Sequence, residues 1–523
     1  MSGATERVTY ATLAAGQSEE FRQKYDAAVD RVRGSLGGRH PHVIDGQEVW
    51  SGQETEDRSP TDTRVLLGRF GVATPQDVDR AVQAARRAFP AWGTRPWQER
   101  TAILRKAADL IEERGFDLSA LLSIEAGKNR LEAMGDVTET ADLIRYYCEQ
   151  MEKNSGFDRP MSRLSPQEET RSVLRPYGVW AIISPFNFPA ALAGGPIGGA
   201  LVAGNTVVFK PSHETPLIGL ALYNVFREAG VPAGAIHIVY GTGPVTGEAV
   251  ANHPGVDGLL FTGSKAVGMS ILHRFSKEYP KPCITEMGGK NPAIIMPSAD
   301  VDAAAEGVMR SAFGLQGQKC SACSRVYVHE AVKGPFTEQL LARTAGISIG
   351  DPSRHGVFLG PVIHERAFES YERYAGIAQR EGTVLTGART LREGDLSHGY
   401  FVAPTVVDGL SKEHRLFQEE MFLPIVCLTT VSSLDEGLLW ANRTEYGLTA
   451  GLFSRDPGEI QAFLDRIEAG VVYVNRRAGA TTGAWPGVQP FGGWKGSGSS
   501  GKASGGLYYV QQFMREQSRT IVH

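Results

Sequence analysis

Cysteine is scarce in this chain, which has five cysteines among 523 residues. They stand at positions 148, 283, 320, 323 and 427, too few and too scattered for a disulfide framework. The sequence therefore predicts a protein of a reducing compartment, the cytoplasm.

Long apolar runs and concentrated positive charge are absent as well. No stretch reaches the roughly 18 apolar residues that a membrane span requires, and residues 1–15 are too polar for a signal peptide. The net charge is −4 and no basic patch stands out, so we expect neither nucleic acid nor a membrane surface as a partner.

What the chain does have is a cysteine in a setting that suits a nucleophile. In the segment 313–324, Gly317 and Ser321 leave the sulfur of Cys320 approachable and place peptide N–H groups where they can lower its pKa. Taken alone, the residue fits a buried structural cysteine better. Cys323 completes a Cys-x-x-Cys pair, but no second pair or histidine cluster accompanies it, so we expect no metal site.

Four short apolar runs separated by helical segments predict a parallel, doubly wound sheet. The runs are 179–183, 206–209, 236–240 and 258–261. Each is followed by loop residues at its carboxyl end, where such sheets bind ligands. Lys210, several glycines and several hydroxyl groups converge on that edge and can hold a phosphate-bearing nucleotide. The alternative is that the glycines only make tight turns.

A second α/β half is predicted after Glu286, with strands near 293–296 and 325–328. Glu286 is followed closely by Gly288 and Gly289, so its carboxylate can swing, as a general base must when it shares its space with a cofactor. The alternative is a carboxylate in a surface turn.

Helical patterns occupy 18–33, the segment from Pro75, 97–114 with Gly115 as its stop, and 131–153. Within the last of these, Glu139 is most simply interpreted as part of a solvated face. The polar segment 157–175 and the tail after 498 predict extended arms of the kind that add to a neighbouring subunit's sheet.

Together these stretches resemble the aldehyde dehydrogenase superfamily over nearly the whole chain. The matching motifs, in the family's order, are Ser184-Pro185-Phe186-Asn187-Phe188, Phe261-Thr262-Gly263-Ser264, Glu286-Met287-Gly288-Gly289-Lys290, Gly317-Gln318-Lys319-Cys320 and Glu420-x-Phe422. The resemblance implies an α/β fold with a Rossmann-type NAD(P)-binding domain over 1–156 and 176–286 and an α/β catalytic domain over 287–484. It also implies a small β oligomerisation arm over 157–175 and 498–523, and a homodimer or an assembly of dimers.

The resemblance further implies oxidation of a small aldehyde. Cys320 would attack the aldehyde carbon, the Asn187 amide and the Cys320 peptide N–H would hold the oxyanion, and Glu286 would activate the water that splits the thioester. NAD is the implied cofactor, and NADP use is a further expectation. The residues implied to hold it are Ile183, Pro185, Phe186, Lys210, Ser212, His213, Gly243, Phe261, Gly263, Ser264, Val267, Met287, Gly288, Glu420 and Phe422.

Within the superfamily the sequence is most similar to the branch that oxidises L-glutamate γ-semialdehyde, formed from 1-pyrroline-5-carboxylate, to L-glutamate in proline catabolism. The similarity rests on the segment 316–324 and on Thr482-Gly483-Ala484 ahead of Phe491. The implied substrate residues are Glu139, Phe188, Ser321, Gly483, Ala484 and Phe491. The alternatives are an aldehyde dehydrogenase for another semialdehyde or an aromatic or aliphatic aldehyde, and a catalytically silent binding protein with the same fold.

Three features depart from the family's pattern. His213 stands where many members have a glutamate that receives the adenosine ribose hydroxyls, and loss of that charge should ease acceptance of a 2′-phosphate. Leu423 stands where glycine is usual, and residues 476–481 form an insertion ahead of the substrate loop.

Overall fold

The computed structural model describes residues 18–50, 52–479 and 485–523. Its strands are β1 (Gly38–His40), β2 (His42–Ile44), β3 (Gln47–Val49), β4 (Glu54–Arg58), β5 (Leu66–Gly71), β6 (Asp158–Pro160), β7 (Glu168–Pro176), β8 (Val179–Ile183), β9 (Thr206–Lys210), β10 (Ile236–Ile238), β11 (Gly258–Thr262), β12 (Cys283–Glu286), β13 (Asn291–Ile295), β14 (Cys323–His329), β15 (Thr383–Thr386), β16 (Thr405–Asp408), β17 (Ile425–Val431), β18 (Tyr446–Gly447), β19 (Thr449–Phe453), β20 (Val471–Val474), β21 (Trp494–Lys495) and β22 (Met514–Val522). Its α-helices are α1 (Glu19–Arg33), α2 (Pro75–Thr94), α3 (Trp97–Glu113), α4 (Gly115–Ala126), α5 (Arg130–Lys153), α6 (Ala191–Val202), α7 (Pro216–Ala229), α8 (Glu248–Ala251), α9 (Lys265–Phe275), α10 (Val301–Phe313), α11 (Lys333–Ala345), α12 (Glu365–Glu381), α13 (Arg415–Gln418), α14 (Leu434–Asn442) and α15 (Pro457–Arg466).

The first seven-stranded sheet has the order β12-β11-β8-β9-β10-β2-β3. Strands β8 to β12 run parallel, and the β2–β3 hairpin adds an antiparallel edge. Every residue of β8, β9, β10 and β11 is buried, as in sheets covered by helices on both faces. The predicted doubly wound sheet is confirmed, and its carboxyl ends lie at one edge.

A second seven-stranded sheet has the order β15-β16-β17-β14-β13-β19-β20. All of its neighbours are parallel except the β15–β16 pair. The predicted second α/β half is therefore present, and β13 and β14 lie next to each other near its centre.

The two segments that the sequence predicts as arms pair with each other. In a three-stranded antiparallel sheet, β7 lies between β6 and the tail strand β22. The carboxyl terminus is thereby joined to a segment that precedes the first strand of the parallel sheet.

Helices α5 and α6 pack closely because α6 presents glycines to α5. A Cβ at Gly194 would lie 2.4 Å from Thr140 Cγ2, and one at Gly198 would lie 2.9 Å from Ile144 Cγ1. Glycine costs a helix up to about 1 kcal/mol relative to alanine, so these positions exchange helix propensity for a short interhelical distance.

The helical region near Gly115 differs from its prediction. Helix α3 ends at Glu113 as expected, but no loop follows, because Gly115 is the first residue of α4. The glycine that ends this helical region is Gly127, whose φ of 72° lies in the left-handed region that favours glycine.

The interpretation of Glu139 as part of a solvated face is wrong. Its side chain is buried, with 9% of the residue exposed, on the face of α5 that packs inward.

Among the described residues, no helix has the length and apolar character to cross a bilayer.

Candidate active site

A cavity of about 460 Å³ opens where the carboxyl ends of β8, β9 and β11 approach the Cys320 segment. Its volume is that of an ordinary small-molecule pocket. The predicted site residues on its wall are Pro185, Phe186, Asn187, Ser212, Gly263, Ser264, Met287, Gly288, Cys320, Glu420 and Phe422. The structure thus brings together residues from both halves of the chain.

The other predicted cofactor residues lie outside the wall of this cavity. Ile183, Lys210 and Phe261 are buried at the ends of β8, β9 and β11, and the remaining three are more exposed: His213, Gly243 and Val267. Lys210 Nζ donates to the Pro211 carbonyl at 2.9 Å, and burial lowers the pKa of this lysine to about 8.

A strained turn leads into the Cys320 segment. Leu315, Gln316 and Gly317 have φ values of 47°, 56° and 67°, a conformation that only glycine adopts at little cost. A Cβ at Gly317 would lie 2.3 Å from the Leu423 carbonyl oxygen. Glycine is therefore required at 317 for the turn to pack on the loop that carries Glu420.

The same loop accounts for leucine at position 423. The left-handed residue there is Phe422, with φ 57°, and not its successor. Position 423 needs no glycine, and the Leu423 side chain is buried in the core beside β17. The insertion 476–481 is described as far as Gly479, where a Cβ would meet the Gly307 carbonyl oxygen of α10, so a larger residue would not fit there.

The pKa of the Cys320 thiol is raised, contrary to the expectation that its surroundings lower it. Burial raises this pKa to about 12, and the carboxyl groups of Glu420 and Glu286 add to the effect. The Ser321 and Cys320 peptide N–H groups act in the opposite direction but do not outweigh the burial. Cys320 as a residue is half-buried and lines the cavity wall.

Glu286 is the last residue of β12 and is partly exposed. Its Oε2 atom is buried and accepts no hydrogen bond from any residue that the structure describes. Burial raises the pKa of this carboxyl to about 8, against the Gly493 peptide N–H, which lowers it. A carboxyl with a pKa near 8 can exchange its proton close to neutral pH, which is a requirement of general-base catalysis.

Glu420 is held by the glycines that follow Glu286. Its Oε1 accepts the Gly289 N–H at 2.9 Å, and a Cβ at Gly288 would lie 1.9 Å from its Oε2. Burial raises the pKa of Glu420 to about 7. The two glycines therefore let one carboxylate approach the chain between β12 and β13.

The aldehyde dehydrogenase family model matches residues 49–518. The chain belongs to the aldehyde dehydrogenase family.

Relatives of this aldehyde dehydrogenase are similar along almost their full length. The 1-pyrroline-5-carboxylate dehydrogenase of Geobacillus sp. (strain WCH70) is 36% identical over 508 residues, and 1-pyrroline-5-carboxylate dehydrogenase 1 of Halalkalibacterium halodurans is 37% identical over 508 residues. Each alignment covers 96% of both chains. The solved structure of 1-pyrroline-5-carboxylate dehydrogenase from Thermus with bound NAD superposes with a TM-score of 0.93 at 34% identity, over 97% of both chains.

The residues present fit NAD. Ser264 lines the cavity and immediately precedes α9, and its side chain does not cap that helix. The first-turn N–H groups of a helix are a suitable site for a phosphate. No heavy atom lies within 4 Å of the position that a Cβ on Gly243 would take, so the backbone there is open to a ligand.

Two acidic residues of α5 form buried ion pairs in this aldehyde dehydrogenase, one of them with Lys319, the residue before Cys320. Glu132 Oε1 lies 3.2 Å from Lys319 Nζ. Asp136 Oδ2 lies 2.8 Å from Lys128 Nζ, in a pair with no exposed side-chain surface. Lys128 Nζ also stands 3.7 Å from the centre of the Phe188 ring.

Sequence reasoning missed these ion pairs, although a signal was present. Positions 132, 136 and 139 are acidic at spacings of four and three, which places them on one face of a helix.

Among the predicted substrate residues, Phe188, Ser321 and Phe491 are buried, and Cys320 packs against the core cluster that contains Phe491. Gly483 and Ala484 lie outside the described residues.

The Gly289→Ala variant tests the packing between the link that joins β12 to β13 and the segment that contains Cys320. The new Cβ would lie 2.4 Å from the Cys320 carbonyl oxygen, so the Cys320 backbone must shift. Since a displacement near 1 Å can cost about 100-fold in rate, we expect kcat/KM to fall by about that factor in a steady-state assay.

Gly334→Ala in α11 is the matched control, because no atom lies within 4 Å of its added Cβ. It should keep the wild-type kcat/KM. A Gly289→Ala enzyme with wild-type kcat/KM would contradict the described packing.

Proposed function

We propose that this aldehyde dehydrogenase oxidises L-glutamate γ-semialdehyde, formed from 1-pyrroline-5-carboxylate, to L-glutamate with NAD in proline catabolism. One observation carries the proposal: the Cys320 sulfur lies on the same cavity wall as Asn187 and within electrostatic reach of Glu286. The relatives named 1-pyrroline-5-carboxylate dehydrogenase support the substrate, because they match the chain at 36% to 37% identity over 96% of its length.

The first chemical step belongs to Cys320 and Asn187. The sulfur attacks the aldehyde carbon, and the oxygen of the resulting thiohemiacetal accepts hydrogen bonds from the Asn187 amide and the Cys320 peptide N–H. Each such donor is worth about 3 kcal/mol in the transition state. Bound NAD would supply the hydride acceptor. Loss of a hydride from its carbon converts the thiohemiacetal into a thioester of Cys320.

The second step belongs to Glu286. Its carboxylate takes a proton from the water that attacks the thioester, and L-glutamate leaves as Cys320 is regenerated. The buried Oε2, which has no hydrogen-bond partner among the described residues, supports this role, since a bound water would give that atom a donor.

Thiolate formation is the energetically demanding part of this scheme. The pKa of Cys320 is raised to about 12, chiefly by burial, so only a small fraction of the sulfur is ionised at neutral pH. Every group that stabilises the sulfur anion therefore affects the rate.

The substrate's polar end is proposed to meet Ser321, Glu139 and the loop of Gly483 and Ala484. Hydroxyl and N–H donors bind an α-carboxylate through charge-assisted hydrogen bonds, whereas an apolar aldehyde would leave them unpaired. Phe188 is proposed to contact the methylene chain, with Phe491 on the other side. The ring of Phe188 is backed by Lys128, which supports a fixed orientation.

The organisation of the chain is proposed to follow the two large sheets. The first would bind the cofactor through 1–156 and 176–286, the second would carry the catalytic domain over 287–484, and the β6-β7-β22 sheet would form the arm. Its edge strand β22 is mostly exposed and its outer N–H and C=O groups can pair with a second copy. We therefore propose a homodimer or an assembly of dimers in the cytoplasm.

A substrate panel tests the proposed function. We expect kcat/KM for L-glutamate γ-semialdehyde to exceed that for succinate semialdehyde and for hexanal by about 100-fold or more, because only the first substrate satisfies the α-carboxylate donors. Reduction of NAD is followed spectrophotometrically, with Cys320→Ala as the inactive control. Preference for another aldehyde would assign a different substrate, and no turnover of any aldehyde would indicate a silent binding protein.

The same assay with NADP tests the role of His213. Its Nε2 pairs with Glu214 at 3.0 Å, and Ser212 and Arg366 line the cavity beside it. With no carboxylate at 213, we expect measurable NADP turnover, and His213→Glu should lower the NADP to NAD ratio about tenfold or more by charge repulsion. Turnover with NADP below about a thousandth of that with NAD, a gap of about 4 kcal/mol, would refute this.

The pH dependence of thioester hydrolysis tests Glu286. Because its pKa is raised to about 8, the carboxyl is mostly protonated at pH 7, and hydrolysis should rise with pH through about 8 before levelling. In Glu286→Gln we expect hydrolysis to fall about 100-fold or more and acylated Cys320 to accumulate, as detected by mass spectrometry. A variant that hydrolyses the thioester at the wild-type rate would exclude Glu286 as the base.

A further inference from the structure

We infer that Asn291 is a positioning residue that aims the Ser321 peptide N–H at the Cys320 sulfur. The inference rests on the proposed role of Cys320 as the nucleophile. Asn291 is the first residue of β13, five positions after Glu286, and only 3% of it is exposed.

The Asn291 side chain is fully engaged with the nucleophile segment and one neighbouring strand. Its Nδ2 donates to the Cys320 carbonyl at 2.7 Å and to the Ala322 carbonyl at 2.9 Å. Its Oδ1 accepts the Thr449 N–H at 2.9 Å. Carbonyls can only accept and a peptide N–H can only donate, so the orientation of the amide is fixed by its partners.

Thr449 completes the arrangement from β19, the strand beside β13. Its hydroxyl donates to the Ser321 carbonyl at 3.3 Å. Three consecutive carbonyls, of residues 320 to 322, are thus held by side chains of two adjacent strands. The Ala322 N–H closes the turn by donating to the Lys319 carbonyl at 3.0 Å.

Holding the Cys320 carbonyl also holds the next N–H. The two groups belong to one planar trans peptide and point in opposite directions. Asn291 therefore fixes the Ser321 N–H on the side away from β13, and its hydrogen bond polarises that peptide, which strengthens the N–H as a donor.

The Ser321 N–H lowers the pKa of the Cys320 thiol, but other groups raise that pKa by more. It lowers the pKa of Cys320, as does the Cys320 N–H, whereas burial and the carboxyl groups of Glu420 and Glu286 raise it. At a pH well below the pKa of Cys320, the thiolate fraction is proportional to the acid dissociation constant of the thiol. Loss of one aligned N–H donor lowers that constant and so lowers the thiolate fraction by the same factor.

Asn291→Ser tests this with a readout that needs neither aldehyde nor cofactor. The serine is too short to reach both carbonyls and Thr449. Below its pKa, a thiol loses a factor of ten in thiolate for each unit that its pKa rises, so we expect iodoacetamide to alkylate Cys320 about tenfold more slowly at pH 8.5. Peptide mass spectrometry of the full-length enzyme measures the rate, with partly buried Cys283 as the internal reference.

The control is Asn205→Ser, because Asn205 also donates to two carbonyls and accepts one peptide N–H. It precedes β9, at the end of that strand farther from the cavity. Its Nδ2 donates to the carbonyls of Ala200 and Phe513, and its Oδ1 accepts the Gly178 N–H. We expect this variant to lose thermal stability but to alkylate Cys320 at the wild-type rate.

The direction of the change separates positioning from simple support of the fold. Loosening of the segment would expose the sulfur and speed its alkylation, so an Asn291→Ser rate equal to or above wild type overturns the inference. If Asn291→Ser does not fold, Thr449→Val removes only the hydroxyl donor, and we expect slowing of about threefold; an unchanged or faster rate there overturns it equally. Failure of the substrate panel with slowed alkylation would refute the proposed substrate and leave the role of Asn291 standing.

Discussion

The short link between β12 and β13 is the constraint on which the site depends. β12 is an edge strand of the first sheet and β13 is a central strand of the second. Five peptide units from Glu286 to Asn291 span at most about 18 Å, so the sheets must approach each other there. Because Asn291 pairs with Cys323 at the start of β14, the nucleophile segment comes within reach of the carboxylate that ends β12.

Burial acts on this site in two ways. It raises the pKa of Cys320, Glu286 and Glu420, so each of these groups ionises less readily than it would in water. The same low dielectric strengthens every hydrogen bond directed at a developing oxyanion or thiolate. A site of this kind depends on well-aligned N–H donors, which is consistent with the hydrogen bonds that Asn291 and Thr449 make to the backbone around Cys320.

The sequence predicts the strands and their functional ends well, because a buried parallel strand is a short apolar run and ligand-binding residues follow it directly. It does not predict the partners of those residues. Asn291 meets the Cys320 carbonyl 29 positions away and the Thr449 N–H 158 positions away, and neither distance is encoded in a local pattern. The burial of Glu139 is also a tertiary effect, because it depends on what packs against α5 and not on the local pattern of the helix.

The Lys128–Asp136 ion pair next to Phe188 and the glycines of α6 depend on each other. The Lys128–Asp136 pair has no exposed surface, and removing one partner of such a pair costs about 3 to 5 kcal/mol because the other charge stays buried. Asp136 also accepts the Ala191 N–H at 2.8 Å, the first residue of α6, so this carboxylate is satisfied only when α6 lies close. The helix glycines allow that approach, and the carboxylate placed in this way pairs with Lys128, which stands over the Phe188 ring.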